Sequence, residues 1–479
     1  MWHHPHATMS DCLCNNRLRP GDLLNSRRLF LARCGLGLGS LGLASLMSED
    51  LIAAVGAGEQ TPGGPVKVTH FPARAKHVIH IFAQGAPSQV DTWDPKPALS
   101  KYHDQALPGL NGVAMASPFK FAKYGQSGIE VSEVFSGVAA HVDDLAVIRS
   151  MTTDIPAHDV ATVIMNTGAR LPRPSLGAWA LYGLGSANQN MPGYISLRPN
   201  GGSPPGGSLN WGSAFLPGDL QATSINTSSP TVEGMIPNIR NEYLGRDEQR
   251  RELDLVQKLN AMHSQHLQQD PQLEARIQSF EMAYRMQVEA TDAFDLSKEP
   301  ESVRSLYGET PQARQLMIAR RLVERGVRFV QVWAGGWDHH DDIEDRLPAS
   351  AAEIDRPAAA LLTDLKQRGL LESTLVIWGG EFGRTVTRDR NGNDNPGRDH
   401  NNKAFSLWLA GGGIKGGTVY GETDEFGAKA VKDPVHVHDL HATILHALGF
   451  DHTKLTYRFN GRDFRLTDTA GKVVKGVLS

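Results

Sequence analysis

Short apolar runs that stop at glycine and give way to carboxylates and imidazoles recur through the C-terminal half of the chain. Residues 327–333 lead into Gly335-Gly336-Trp337-Asp338-His339-His340-Asp341-Asp342, and residues 375–378 into Gly379-Gly380-Glu381-Phe382-Gly383. In the third case Gly397-Arg398-Asp399-His400 precedes the run 405–409. Amphipathic patterns at 311–325, 351–368 and 439–448 read as helices before, between and after these runs. Strands alternating with helices predict crossover units, and hence an α/β fold with a mostly parallel central sheet and helices on both faces. Ligands of such sheets bind outside the carboxyl ends of the strands, so the loops that follow the runs are where a site is expected.

The N-terminal half extends the pattern. Residues 77–82 read as the first strand, leading into the loop Gly85-Ala86-Pro87-Ser88-Gln89-Val90-Asp91. A helix is expected at 131–141, a strand at 145–148 and a helix at 157–165, while the Gly-, Pro- and Ser-rich stretch 195–226 reads as an irregular insertion. Between 241 and 300 the character changes. Leu253, Val256 and Leu259, then Leu273, Ile277, Phe280 and Tyr284, recur at helical spacing in a Gln-rich, charged segment. This helical insertion is expected to form a cap or an oligomer contact, or to cover one face of the sheet.

Charge and cysteine placement narrow the function classes. A net charge of −4 in 479 residues leaves no electrostatic footprint for nucleic acid. Ser26-Arg27-Arg28-Leu29-Phe30-Leu31 matches a twin-arginine signal and is followed by a Gly/Leu-rich apolar stretch, with Val55-Gly56-Ala57 as a small-residue cleavage site. The expected division is a signal peptide over 1–57, a linker over 58–75 and one large domain over 76–479, exported to the periplasm or beyond with no transmembrane anchor in the mature chain. Cys12, Cys14 and Cys34 all precede the cleavage point, so any metal in the mature chain must be held by nitrogen and oxygen. Zn, Mn, Mg and Ca meet that condition.

The motifs also carry a resemblance. The run 77–97 with its Gly85-Ala86-Pro87-Ser88 loop, Gly335-Gly336-Trp337-Asp338-x-His340, Gly379-Gly380-Glu381-Phe382-Gly383-Arg384-Thr385, Gly397-Arg398-Asp399-His400-Asn401 and the turn Gly411-Gly412-Gly413-Ile414-Lys415-Gly416-Gly417 are similar to the exported bacterial sulfatase-like family known as domain of unknown function 1501. That family in turn resembles the alkaline phosphatase and sulfatase superfamily. The resemblance implies an alkaline phosphatase-like α/β fold, one or two divalent metals and a nucleophile at a helix N-terminus. It implies Asp338 with His340 as a metal pair, Glu381 where the superfamily has Asp-His-Gly, His400 as a last histidine, and 156–168 as the nucleophile helix. The sequence departs from the superfamily at three places. Gln84-Gly85 follows the first strand where an aspartate is usual, with Asp91 the nearest carboxylate. Phe382 replaces a ligating histidine, and Asp154 occupies the nucleophile position two before Pro156.

Read as chemistry, Asp338, His339 and His340 with Asp341 and Asp342 suit a cation that takes both nitrogen and oxygen ligands, or else a solvated acidic loop whose last two members cap a helix. Glu381 is either a ligand or the partner of Arg384 or Arg398; His400 is a ligand or an acid/base group, and Asp91 a further ligand. Asp154, His158 and Asp159 flank the start of a helix whose dipole favours an anion, with Thr152, Thr153 or Ser88 as alternative nucleophiles. Arg398 could orient an anionic ester with its planar fork, and His438 is a fainter candidate. The expected activity is metal-dependent hydrolysis of phosphate or sulfate esters, including those on sulfated or phosphorylated glycans. The alternative is a non-catalytic protein that binds polysaccharide or another exported protein.

Overall fold

A computed structural model describes residues 68–479 apart from 199–202, 237–238, 240–242, 267–283, 285, 288–290 and 390–394. The export segment, residues 58–67 of the linker, and Leu273, Ile277 and Phe280 lie outside the described residues. Within the segment read as linker, the amides of His70, Arg74 and Ala75 donate to the Gly449 and Ala447 carbonyls.

Among the described residues nine strands make the central sheet. In chain order they are β1 (His77–Ala83), β2 (Leu145–Thr152), β3 (Tyr194–Arg198), β4 (Thr223–Asn226), β5 (Phe329–Ala334), β6 (Thr374–Gly379), β7 (Phe405–Ala410), β8 (Thr418–Tyr420) and β9 (Val435–His436). Their spatial order is β8-β2-β7-β6-β1-β5-β3-β4, with β9 also paired to β2. Strand β7 is antiparallel to both β2 and β6, and the other pairs are parallel. Reversal of β7 matters for the site, because it brings the entry to β7 to the edge where the parallel strands end.

Both faces are covered, which explains the near-continuous apolar strands. Successive side chains of a strand point to opposite faces. Ile79 and Ile81 therefore join the core under α4 (Pro311–Glu324) and α5 (Ile343–Gln367), while Val78 and Phe82 join the opposite core. That second core lies under α1 (His158–Thr167), α2 (Leu176–Leu184) and α6 (Val437–Ala447). Helix α3 (Arg246–His266) falls in the 241–300 segment, and its Leu255, Val256 and Leu259 are exposed. Among the described residues no helix is long and apolar enough to cross a membrane.

Three local expectations are corrected. Residues 195–226 supply two sheet strands, because Ile195 and Leu197 find buried places beside β5 and Ile225 one beside β3. The helix expected at 131–141 is a strand, Ile129–Ser132, followed by two short turns of helix, Glu133–Phe135 and Ser136–Ala139. Helix α5 starts at Ile343 rather than near 351, with Asp342 at its N-cap, and it carries Pro348 and Pro357 within it.

Two buried imidazoles tie stability to pH. Burial pushes the His80 pKa down to about 4. Burial also lowers His441, to about 3; the Met165 carbonyl opposes this and the neighbouring His438, His436 and His80 reinforce it. Both stay neutral in the fold while the unfolded chain protonates them below about pH 6.5, so the unfolded state binds more protons and stability is lost as the pH is lowered. Each is expected to cost about 1.4 kcal/mol per pH unit from about 6.5 down to its folded pKa. Urea midpoints at pH 7 and pH 5, compared between wild type and His80→Leu, isolate the His80 share, which the substitution should remove.

Candidate metal centre

Strand ends and glycines bring distant segments to one edge of the sheet. His158 opens α1 after β2, Asp338 and His340 follow β5, Glu381 and Arg384 follow β6, and His400 precedes the reversed β7. Gly85, after β1, has φ +109°, and a Cβ there would lie 2.6 Å from the Asp338 amide nitrogen. A Cβ on Gly397 would lie 2.3 Å from the His340 carbonyl carbon. Only glycine allows these backbones to approach so closely.

Three imidazoles converge on one carboxylate oxygen. Asp338 Oδ1 is 3.3 Å from His158 Nε2, 3.0 Å from His340 Nε2 and 3.5 Å from His400 Nε2, and the last two nitrogens are 2.9 Å apart. All four ligand atoms lie within 4.8 Å of one another. Each ring is oriented from behind through Nδ1: His158 by Glu381 Oε1 at 2.6 Å, His340 by Asp389 Oδ2 at 2.5 Å, His400 by the Pro156 carbonyl at 2.9 Å. Ionised carboxylates and carbonyls only accept, so each Nδ1 donates and each Nε2 turns a lone pair toward the shared point. Two such lone pairs 2.9 Å apart require a proton or a cation between them. His158 Nε2 is buried and has Asp338 Oδ1 in front of it at 3.3 Å.

Spacing and chemistry fit a metal. Ligands about 2.0–2.1 Å from a tetrahedral ion stand about 3.3 Å apart, close to the 3.0–3.5 Å separations between the imidazoles and Asp338. Nitrogen from three histidines and one carboxylate oxygen suit a borderline cation better than the all-oxygen preference of Ca or Mg. Such histidines are usually held by carboxylates or carbonyls through the second nitrogen, as all three are here.

The electrostatics agree. Burial opposes charge on His158, but hydrogen bonds and negative charge from Asp338 and Glu381 outweigh it and raise its pKa to about 9. Burial likewise works against the Asp338 anion, yet His158, His400 and Arg384 hold its carboxyl far below the usual range. Arg384 is fully buried, and its Nη2 reaches Asp338 Oδ1 at 2.5 Å while other guanidinium nitrogens donate to the carbonyls of Ala86 and Arg398. The raised His158 pKa puts a proton where a metal would bind, so the two would compete.

The sequence candidates divide accordingly. His158, Asp338, His340 and His400 are brought together. Glu381 stands one bond back, accepting from His158 and from the Gly85 amide at 3.0 Å; Arg384, read as its partner, serves Asp338 instead. Asp91 is not at the cluster: both its oxygens face the buried Arg398 guanidinium at 2.6 and 3.0 Å, and Ser88 donates to it at 2.5 Å. The same pair occupies Arg398, which has no exposed surface to offer an ester. His339 turns inward to Ser350 Oγ at 3.2 Å, and burial with the Arg384 and Arg346 charges lowers its pKa to about 4. Asp154 is half exposed and 3.3 Å from His436, and His438 serves the Gly168 carbonyl at 2.7 Å. Sequence reading missed Asp389, whose loop has no periodic signal, and the Pro156 carbonyl, which side chains cannot announce.

Because Glu381 acts through His158, Glu381→Gln is expected to keep the fold and weaken metal binding about 10–100-fold. Competition with a chelating dye measures this.

A carboxyl-end cluster of this kind on a doubly covered sheet defines the chain as an α/β protein with a candidate metal centre. It belongs to the family described as "Protein of unknown function (DUF1501)", whose model matches residues 75–478. No curated protein matches the chain. Similar solved structures include the PsFucS1 sulfatase from Pseudoalteromonas sp., 12% identical over 79% of this chain and 68% of that one, TM-score 0.33. The lipoteichoic acid synthase LtaP from Listeria monocytogenes is 8% identical over 85% and 78%, TM-score 0.37. The alkaline phosphatase from the Antarctic bacterium TAB5 is 9% identical over 71% and 92%, TM-score 0.29.

Proposed function

We propose that the protein is a metal-dependent hydrolase of phosphate or sulfate esters, with Zn or Mn held by His158, Asp338, His340 and His400. The observation that carries the reading is the convergence of three Nε2 atoms on Asp338 Oδ1 while each Nδ1 is already engaged. Ester chemistry comes from the motif order shared with the alkaline phosphatase and sulfatase superfamily. A divalent metal there supplies Lewis-acid polarisation of an ester oxygen and a nucleophilic water at neutral pH. Asp338 is 47% exposed, so a substrate can approach the centre from its side. His158, His340 and His400 keep their rings fixed through Glu381, Asp389 and the Pro156 carbonyl, and Arg384 fixes Asp338. Asp154 pairs with His436 and is not among the residues of the cluster, so no covalent step through it is invoked. Turnover of aryl phosphate and aryl sulfate esters by metal-loaded protein, lost on chelation and restored by Zn or Mn, is the test.

Asp154 also favours a second reading. A carboxylate that occupies the nucleophile position but pairs with His436 suits a non-catalytic protein that binds polysaccharide or another exported protein. Metal binding without turnover of any ester would select it.

Export through the twin-arginine route is part of the proposal. Arg27→Lys with Arg28→Lys is expected to leave precursor inside the cell, visible by fractionation; unchanged export would refute the signal.

A further inference from the structure

Ser88 and Asp91 of the loop 85–91 are turned to each other and to Arg398, which leaves the motif without a part in the metal centre. The remaining polar side chain of the loop is Gln89. It is 1% exposed and its carboxamide is fully engaged: Nε2 donates to the Arg384 carbonyl at 2.8 Å and to the Gly427 carbonyl at 3.1 Å, and Oε1 accepts from the Arg384 amide at 2.8 Å. One side chain thus holds both backbone groups of Arg384. A Cβ on Gly383 would lie 2.5 Å from Gln89 Oε1, so glycine is what admits the amide there. Asparagine would fall one methylene short, and an ionised glutamate has no donor for the two carbonyls.

The same loop grips the Arg384 side chain. Gly85 and Ala86 both take positive φ, +109° and +65°, and their carbonyls accept from Arg384 Nη2 and Nε, the latter at 2.9 Å. A left-handed alanine with no exposed surface is uncommon, and such backbone collects where it sets the geometry of a site. The guanidinium held in this way reaches Asp338 Oδ1 at 2.5 Å. Residue 384 also pairs with His400 in a two-residue ladder.

We propose that Gln89 is a positioning residue of the metal centre, acting through the Arg384 guanidinium on Asp338. The inference rests on the centre formed by His158, Asp338, His340 and His400, and it gives the loop 85–91 its part there. The Gln89 amide fixes the Arg384 backbone, the Gly85 and Ala86 carbonyls aim the fork, and the fork fixes the ligand oxygen.

Zn affinity of the full chain measured against a chelating dye, with urea midpoints alongside, tests it. Gln89→Met is expected to weaken Zn binding about tenfold, the low end for groups behind a ligand because one further residue intervenes. Arg384→Met, or Arg384→Lys where that variant folds poorly, weakens it more. Adding Gln89→Met to the Arg384 variant then weakens it no further, the non-additivity expected when one residue acts through another. Gln331→Met, which removes an equally buried glutamine bonded to Tyr194 and Asn166, loses stability but not Zn affinity. Should Gln89→Met fold poorly, Gln89→Glu keeps the acceptor for the Arg384 amide and removes only the donors, and the same weakening is expected of it. Unchanged affinity in the Gln89 variants, an equal loss in Gln331→Met, or additive losses in the double variant would overturn the proposal. Wild type that binds no Zn would remove the metal centre and this role with it, whereas wild-type affinity without Gln89 would remove the role alone, so the two failures are distinguishable.

Discussion

Asp338→Ala is expected to weaken metal binding at least about 100-fold, beyond the range typical of residues that only orient a ligand. Asp338 Oδ1 is the atom on which the three imidazoles converge, and among the described residues no other carboxylate oxygen joins all three of them in one group. The fold should survive. Asp338 is half exposed, and Arg384 keeps its hydrogen bonds to the Ala86 and Arg398 carbonyls, so the lost charge-assisted bond costs about 1.5–3 kcal/mol. Asp338→Asn leaves Arg384 an acceptor and should be milder in stability but still impaired in metal binding. Thermal stabilisation on adding Zn separates the two effects: wild type gains about 2.7 kcal/mol at 100 times Kd, and Asp338→Ala gains almost nothing at the same concentration. Full metal retention in Asp338→Ala would remove it from the ligand set.

The largest stability effect belongs to the residues that sequence reading placed in the site. Arg398→Ala strands the Asp91 carboxylate with no exposed surface, and is expected to cost about 3–5 kcal/mol. Replacing both partners, Asp91→Leu with Arg398→Met, should cost much less, because a buried pair is expensive to break and cheap to exchange for apolar packing. Urea denaturation of the single and double variants gives the comparison. If Asp91 were a metal ligand instead, the double variant would lose metal while the proposed account has it retained.

What could be read from the sequence was local. Strands β1, β5 and β6 and helix α4 declare themselves by apolar runs and helical spacing, and the residues that follow β5 declare Asp338 and His340 through sheer density of imidazole and carboxylate. His400 was legible by its company. The direction of β7 was not, since an apolar run reads the same either way, and that reversal is what delivers His400 to the carboxyl edge. Strands β3 and β4 were hidden by the Gly, Pro and Ser around them, although Ile195 and Leu197 already alternate. Asp91 and Arg398 pair across 307 positions, and nothing local distinguishes such a pair from two site residues. The difference between a ligand and the group behind it, as for Glu381, depends on which side of the His158 ring the carboxylate meets, which spacing does not encode.

The most direct measurement is the divalent metal content of the purified protein and of His400→Ala by mass spectrometry, each before and after reconstitution with Zn, Mn, Mg and Ca. The account predicts about one equivalent of Zn or Mn in the wild type, as one four-ligand site requires, and its loss from a folded variant. Wild-type protein that holds no metal after reconstitution, or a variant that holds as much as wild type, would contradict it.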